Sequence, residues 1–142
     1  MTRRGAAVLL APMVLLALGA GLPTLIPVSF VILVVGSVAV ALDWRRAPGA
    51  RRVTVTREHE PLLSVGQPNA VRLRVRVDGA PTRGMIRDEH PSHMTSSASV
   101  LSGALPGDYG YTLTPPARGE ARFGATVVRA LGPWKLAARQ SR

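Results

Sequence analysis

Cysteine is absent from the 142 residues, which excludes a disulfide scaffold, a thiolate metal site and a cysteine nucleophile. Lysine is nearly absent: 17 of the 18 basic residues are arginine, and Lys135 stands alone. Aromatic residues make up only 4%, so there is little to stack nucleic-acid bases on. Acidic residues number eight against those 18 cations. From Gly5 to Leu42 there is no charged residue of either sign. What is present therefore divides in two. An apolar third is followed by 100 residues, from Asp43 onward, that hold 16 of the basic and all the acidic residues. That is an ordinary size for one domain. The arginine excess suits phosphate ligation. It equally fits the Ala-, Gly-, Pro-, Val- and Leu-rich coding of a GC-rich genome.

Gly5–Leu42 is 38 residues long, which as one straight helix would run about 57 Å. A bilayer core is about 30 Å thick. Gly19, Gly21, Pro23 and Pro27 supply a break. The pattern thus predicts a transmembrane helical hairpin over 5–42, with spans near 5–22 and 25–42 after a basic N-terminus, 1–4. Arg3 and Arg4 precede the first span; Arg45, Arg46, Arg51 and Arg52 follow the second. The positive-inside rule then puts both termini in the cytoplasm, with two spans in the plasma (inner) membrane and Trp44 at the lipid interface. The competing reading is a signal peptide, with Ala6–Leu18 as its apolar core and Ala17–Ala20 as the cleavage region. The spans hold no ionisable group, so neither a proton path nor an ion site is expected. Neither Gly19 nor Gly36 has a second glycine four residues away, so the spans carry no Gly-x-x-x-Gly pairing motif.

Beyond a basic juxtamembrane linker, 43–50, the hydrophobic period changes to two. Val71-Arg72-Leu73-Arg74-Val75-Arg76-Val77 alternates strictly, with four apolar residues on one face and three arginines on the other. Further strands are expected at 52–56, 83–88, 99–105, around Tyr109–Leu113, around Phe123–Val127 and at Trp134–Arg139. Gly, Pro, Asn and Asp punctuate the gaps. The Ser- and Thr-rich stretch Ser92–Ser102 reads as a mobile loop or edge. The expectation for 51–142 is an all-β antiparallel sandwich, Ig-like or fibronectin-like.

A resemblance enters at this point. The order is an apolar hairpin, a basic linker, Pro61-Leu62-Leu63-Ser64-Val65-Gly66-Gln67-Pro68-Asn69 and Val71–Val75, then Arg87-Asp88-Glu89-His90-Pro91. Tyr111–Pro115, Arg118-Gly119-Glu120-Ala121-Arg122-Phe123-Gly124 and Ala130-Leu131-Gly132-Pro133-Trp134-Lys135-Leu136 close it. This resembles the N-terminal half of the domain-of-unknown-function 58 family of bacterial membrane proteins. The resemblance implies a membrane-bound accessory factor working with a MoxR-type AAA+ ATPase. It further implies a C-terminal half like a von Willebrand factor A domain, with an Asp-x-Ser-x-Ser metal site. The sequence ends where that half should begin and holds no Asp-x-Ser-x-Ser, so no metal ligand is carried over.

The residues themselves offer little chemistry. Asp88, Glu89, His90 and His93 have the ligand types of a transition-metal site, but they equally read as a strand end running into a solvated loop. No nucleophile elbow and no phosphate-binding glycine loop occurs. The expectation is a non-catalytic protein with no cofactor, no metal, no nucleic acid and no small-molecule substrate. Arg72, Arg74 and Arg76 form the expected partner face, with Glu58 or Glu60 as nearby counter-charges. Arg3, Arg4, Trp44, Arg45, Arg46, Arg51 and Arg52 form the expected membrane interface with the lipid bilayer. The alternatives are an envelope-facing binding module and a truncated fragment.

Overall fold

The computed structural model describes residues 2–141. Met1 and Arg142, the outer limits of the expected basic N-terminus and β-module, lie outside the described residues. The chain divides into two compact units: residues 2–47 with Leu131–Arg139, and 48–130 with 140–141.

In the first unit, helix α1 (Arg3–Leu18) and helix α2 (Leu25–Arg46) pack antiparallel, Val8 against Gly36 and Gly19 against Ile26. Thr2 caps α1, its hydroxyl accepting from the Gly5 amide at 3.1 Å. Gly19 ends that helix, and Arg45 and Arg46 in the last turn of α2 suit its negative dipole end. The buried residues are small or polar and recur every seven positions: Gly5, Pro12 and Gly19 on α1, and Ser29, Gly36 and Asp43 on α2. A seven-residue repeat keeps residues on one stripe: Gly19 and Gly36 let the two helices approach closely, while Gly5 lies against Leu136 and Asp43 against the turn that contains Leu136. Pro12 has no N–H to give the Val8 carbonyl. That carbonyl lies against Gly36, where a Cβ would stand 3.5 Å from it and 2.9 Å from the Val8 side chain. The large apolar side chains point the other way. Leu10, Met13, Val14, Leu16, Leu18, Phe30, Val31 and Val35 are all more than half exposed.

The expected two-helix transmembrane hairpin followed by an Ig-like or fibronectin-like sandwich requires correction. Among the described residues only α2, with 22 residues, is long and apolar enough to cross a membrane. α1 has 16 residues, about 24 Å of helix against a hydrocarbon core of about 30 Å. It is not a second span. The physical reason is its composition at both ends. Its first turn is Arg3 and Arg4, and Gly19, Ala20 and Gly21 close it before the apolar run ends. Trp44, Arg45 and Arg46, expected in a linker, instead complete α2.

The second unit holds most of two four-stranded antiparallel sheets packed face to face. The first has the order β1 (Val53–His59), β2 (Asn69–Val77), β6 (Gly107–Thr114), β4 (Thr95–Ser96). The second has the order β5 (Leu101–Leu105), β3 (Thr82–Asp88), β7 (Thr126–Leu131), β8 (Ala138–Ser141). Val71, Leu73, Val75, Tyr111 and Leu113 from one sheet meet Ile86, Leu105, Val128 and Ala130 from the other in a single core. The strict alternation of β2 explains its place at the centre of the first sheet, paired on both sides. Phe123, expected within a strand, precedes β7 in a loop. Trp134 and Lys135, expected in the last strand, form a turn before β8. The reason in both cases is local: Gly124, and the pair Gly132-Pro133, interrupt the ladder.

Candidate functional site

Three constellations concentrate the polar chemistry. The first closes the helical unit at the basic ends of its helices. Asp43, wholly buried, points its carboxylate into the turn Gly132–Ala137. Oδ1 accepts the Trp134 amide at 2.7 Å; Oδ2 accepts the Leu136 and Ala137 amides at 2.8 and 2.7 Å. Three charge-assisted bonds from a concave run of backbone N–H groups make a strong anion seat. Lys135 takes a left-handed backbone, φ 60°, to form that concavity, and its amide bonds the Gly132 carbonyl at 2.9 Å. Only glycine fits at position 132: a Cβ there would stand 2.5 Å from the carboxylate. On the other side of the turn, the Thr2 hydroxyl reaches the Lys135 and Leu136 carbonyls at 2.6 and 2.7 Å.

Two tryptophans flank this seat, each under an arginine. The Arg46 guanidinium lies 5.2 Å from the Trp134 ring, and that of Arg139 lies 4.9 Å from Trp44. Both rings are about half exposed. Of the expected interface residues, Arg3, Arg4, Trp44, Arg45 and Arg46 belong to this unit and are exposed. Arg51 and Arg52 form a 3-10 turn with Ala50 at the start of the second unit and are also exposed. Arg3 and Arg4 occupy a helix N-terminus, where the dipole disfavours cations; helix stability does not account for them. Sequence reasoning missed Asp43, Trp134 and Arg139. The available signal was an acid at the end of an apolar helix, seven residues after a buried-type glycine.

The second constellation is the arginine ladder. Arg72, Arg74 and Arg76 all face outward from β2. Arg74 sits between two acids, Glu58 at 3.2 Å and Asp108 at 3.6 Å, across an open depression of about 310 Å³. Glu58 thus is the counter-charge expected beside the ladder. Among the described residues, Arg72 and Arg76 make no ion pair within 4 Å. Exposed pairs of this kind contribute little to stability, about 0–1 kcal/mol.

The third lies between the sheets. Asp88, with its side chain 3% exposed, receives Arg57 through Nε at 3.1 Å and through Nη2. It also receives the Tyr111 hydroxyl at 2.7 Å and the Thr126 hydroxyl at 2.6 Å. Arg57 Nη2 further donates to the Gly124 carbonyl at 2.9 Å, and its guanidinium stands 4.6 Å from the Phe123 ring. Burial, and then the bond to the Asp88 carboxylate, push the Tyr111 hydroxyl well above the ordinary tyrosine value. Burial raises Tyr109 as well. Asp88 is therefore committed to this network rather than to Glu89, His90 and His93. Among the described residues no group of three or more His, Cys, Asp or Glu is placed to hold a metal ion. The Arg57–Asp88 pair was also missed. Its signal was parity: Arg57 follows Val53 and Val55, and Asp88 follows Gly84 and Ile86, so both charges occupy inward positions.

Comparison with known proteins adds no relative to this geometry: no family model, no curated protein and no solved structure matches the chain.

Proposed function

We propose that this chain is a non-catalytic, membrane-anchored interaction protein. In this reading α2 crosses the plasma membrane, α1 packs along it, and the β-sandwich is held on the cytoplasmic side. The observation that carries the anchoring is the inverted burial of the helical unit. Its interior holds Gly, Pro, Ser and Asp, while Leu, Val, Met and Phe cover its outside. In water that arrangement leaves the hydrophobic surface unburied; in lipid it is the ordinary solution. The orientation is supported by Arg45 and Arg46 in the last turn of α2 and by Arg51 and Arg52 beyond it, with the two arginine-capped tryptophans suited to a headgroup layer.

The accessory half of the proposal rests on the resemblance to the domain-of-unknown-function 58 family. The partner is then a MoxR-type AAA+ ATPase, reached through a von Willebrand factor A-like half that this sequence does not contain. The Arg72, Arg74 and Arg76 face is the first surface to test, and replacing all three by Glu should abolish that association. Unchanged binding would remove this face.

Topology tests the reading as a whole. The chain has no native thiol, so the single variants T24C and S97C can be read independently. A membrane-impermeant maleimide applied to intact cells should label T24C and spare S97C. Labelling at position 97 instead would put the sandwich outside, and an envelope-facing binding module would replace the ATPase accessory.

A further inference from the structure

The two sheets present outer faces of different charge balance. On the first sheet, Arg72, Arg74 and Arg76 share the face with Glu58 and Asp108. On the second, β3 turns Arg83, Met85 and Arg87 outward, and β7 places Arg129 directly opposite Met85. On the other side, Ser102 stands opposite Met85 and Ala104 opposite Arg83, both outward on β5. The outward positions of β3, β5 and β7, all within the described residues, include no Asp or Glu. The nearest acid in the alternation, Glu89, follows the end of β3 and lies against Gly124.

Among the described residues Arg83 and Arg87 make no ion pair within 4 Å, so their charge is left to be met from outside the sheet. Arg83 and Arg87 are both exposed on the central part of that face. Met85 adds a second sign of use: it is 48% exposed between them. Arginine and methionine are enriched in protein–protein contacts, and methionine adapts its shape to a partner.

We propose that the outer face of the second sheet, centred on Arg83, Met85 and Arg87, docks an acidic segment of a partner protein. The occupant is specified by the pattern. Arg83 and Arg87 lie four residues apart on one strand, about 14 Å, with an apolar side chain midway. An extended segment of the form Glu-x-Val-x-Glu repeats that spacing with the opposite charge. Its carboxylates meet the guanidinium groups while its aliphatic residue covers Met85. This goes beyond the anchoring and accessory reading, which concerns the membrane and the β2 ladder.

The test uses the full chain in neutral phosphatidylcholine nanodiscs and a fluorescent probe peptide, three repeats of Glu-Ser-Val-Ser. Anisotropy should report binding that weakens as salt shortens the screening length, and the matching Lys-Ser-Val-Ser peptide should not bind. R83E/R87E should weaken the acidic peptide by about tenfold or more. R72E/R76E should change it by less than about twofold, because that face is a different one. The single variants R83S and R87S, each removing one exposed charge, keep the result readable if the double variant folds poorly. Equal weakening by the two double variants would mean a diffuse charge effect and would overturn the proposal. So would weakening by R72E/R76E alone, which leaves the accessory reading standing. So would failure of the acidic peptide to bind while phosphatidylglycerol vesicles associate in an Arg83- and Arg87-dependent way, since the face would then be a lipid site.

Discussion

Each unit of this molecule buries one aspartate, and the two are held in opposite ways. In the helical unit, Asp43 is seated by three backbone amides of a single turn, with no cation among those partners. In the sandwich, Asp88 is held by side chains from three strands, Arg57, Tyr111 and Thr126. The surroundings account for the difference. The helical interior is a seam of Gly, Pro and Ser with no room for a guanidinium. The sandwich interior is about 10 Å deep, as packed sheets are, and its inward positions accommodate an arginine and a tyrosine. A buried carboxylate must be compensated, and each unit uses the donors its geometry can bring close.

The comparison can be broken one side at a time, because the reporters are segregated. Trp44 and Trp134 are the two tryptophans and both belong to the helical unit; Tyr109 and Tyr111 are the two tyrosines and both belong to the sandwich. The largest effect is expected from Asp88→Ala, which strands Arg57 between the sheets and should cost about 3–5 kcal/mol. Denaturation followed by near-ultraviolet tyrosine signals should show it, with tryptophan emission in neutral nanodiscs little changed. Asp43→Ala should do the reverse. It leaves three amides without their acceptor, at about 3 kcal/mol in all, near the low end per amide because two of the three are only part-buried, and should shift the tryptophan emission while the tyrosine transition stays in place.

Gly36→Leu sharpens the contrast in packing. Insertion at the seam, where even a Cβ meets Val8 at 2.9 Å, should cost about 1–3 kcal/mol. Cross-linking between cysteines placed at Ala11 and Leu33 should then slow. Tyr111→Phe should have the smallest effect, about 1 kcal/mol at neutral pH. Its signature is in alkali. Tyr111 ionises at a higher pH folded than unfolded, so its contribution is complete below about pH 10 and is lost as pH rises toward the folded value. The wild-type sandwich should therefore lose stability above about pH 10 more steeply than the Phe variant. Tyrosinate absorbance from Tyr111 should appear only as the sandwich unfolds.

How far the sequence could be read follows from the same residues. β2 was legible because alternation over seven residues admits one structure, with valines and Leu73 inside and arginines outside. α2 was legible because its apolar run is long. The limits of α1 were not, since the absence of charge from Gly5 to Leu42 says nothing about where the helix stops; Gly19 and the turn decided that. The helices have no glycines four apart, yet a seam exists, because its repeat is seven and mixes Gly with Pro, Ser and Asp. Trp134 and Lys135 resemble strand residues when only their neighbours are considered. The turn they form presents its amides to Asp43, a residue 91 positions from Trp134.

The amino-acid order alone determined the division into an apolar and a basic part, the central strand and the excess of arginine, because these depend only on neighbours within a few residues. The partners of Asp43 and Asp88, the pairing of Arg74 with two acids and the acid-free second face were decided by tertiary structure. Each depends on distances between segments far apart in the chain, and charge compensation falls off over a few ångströms.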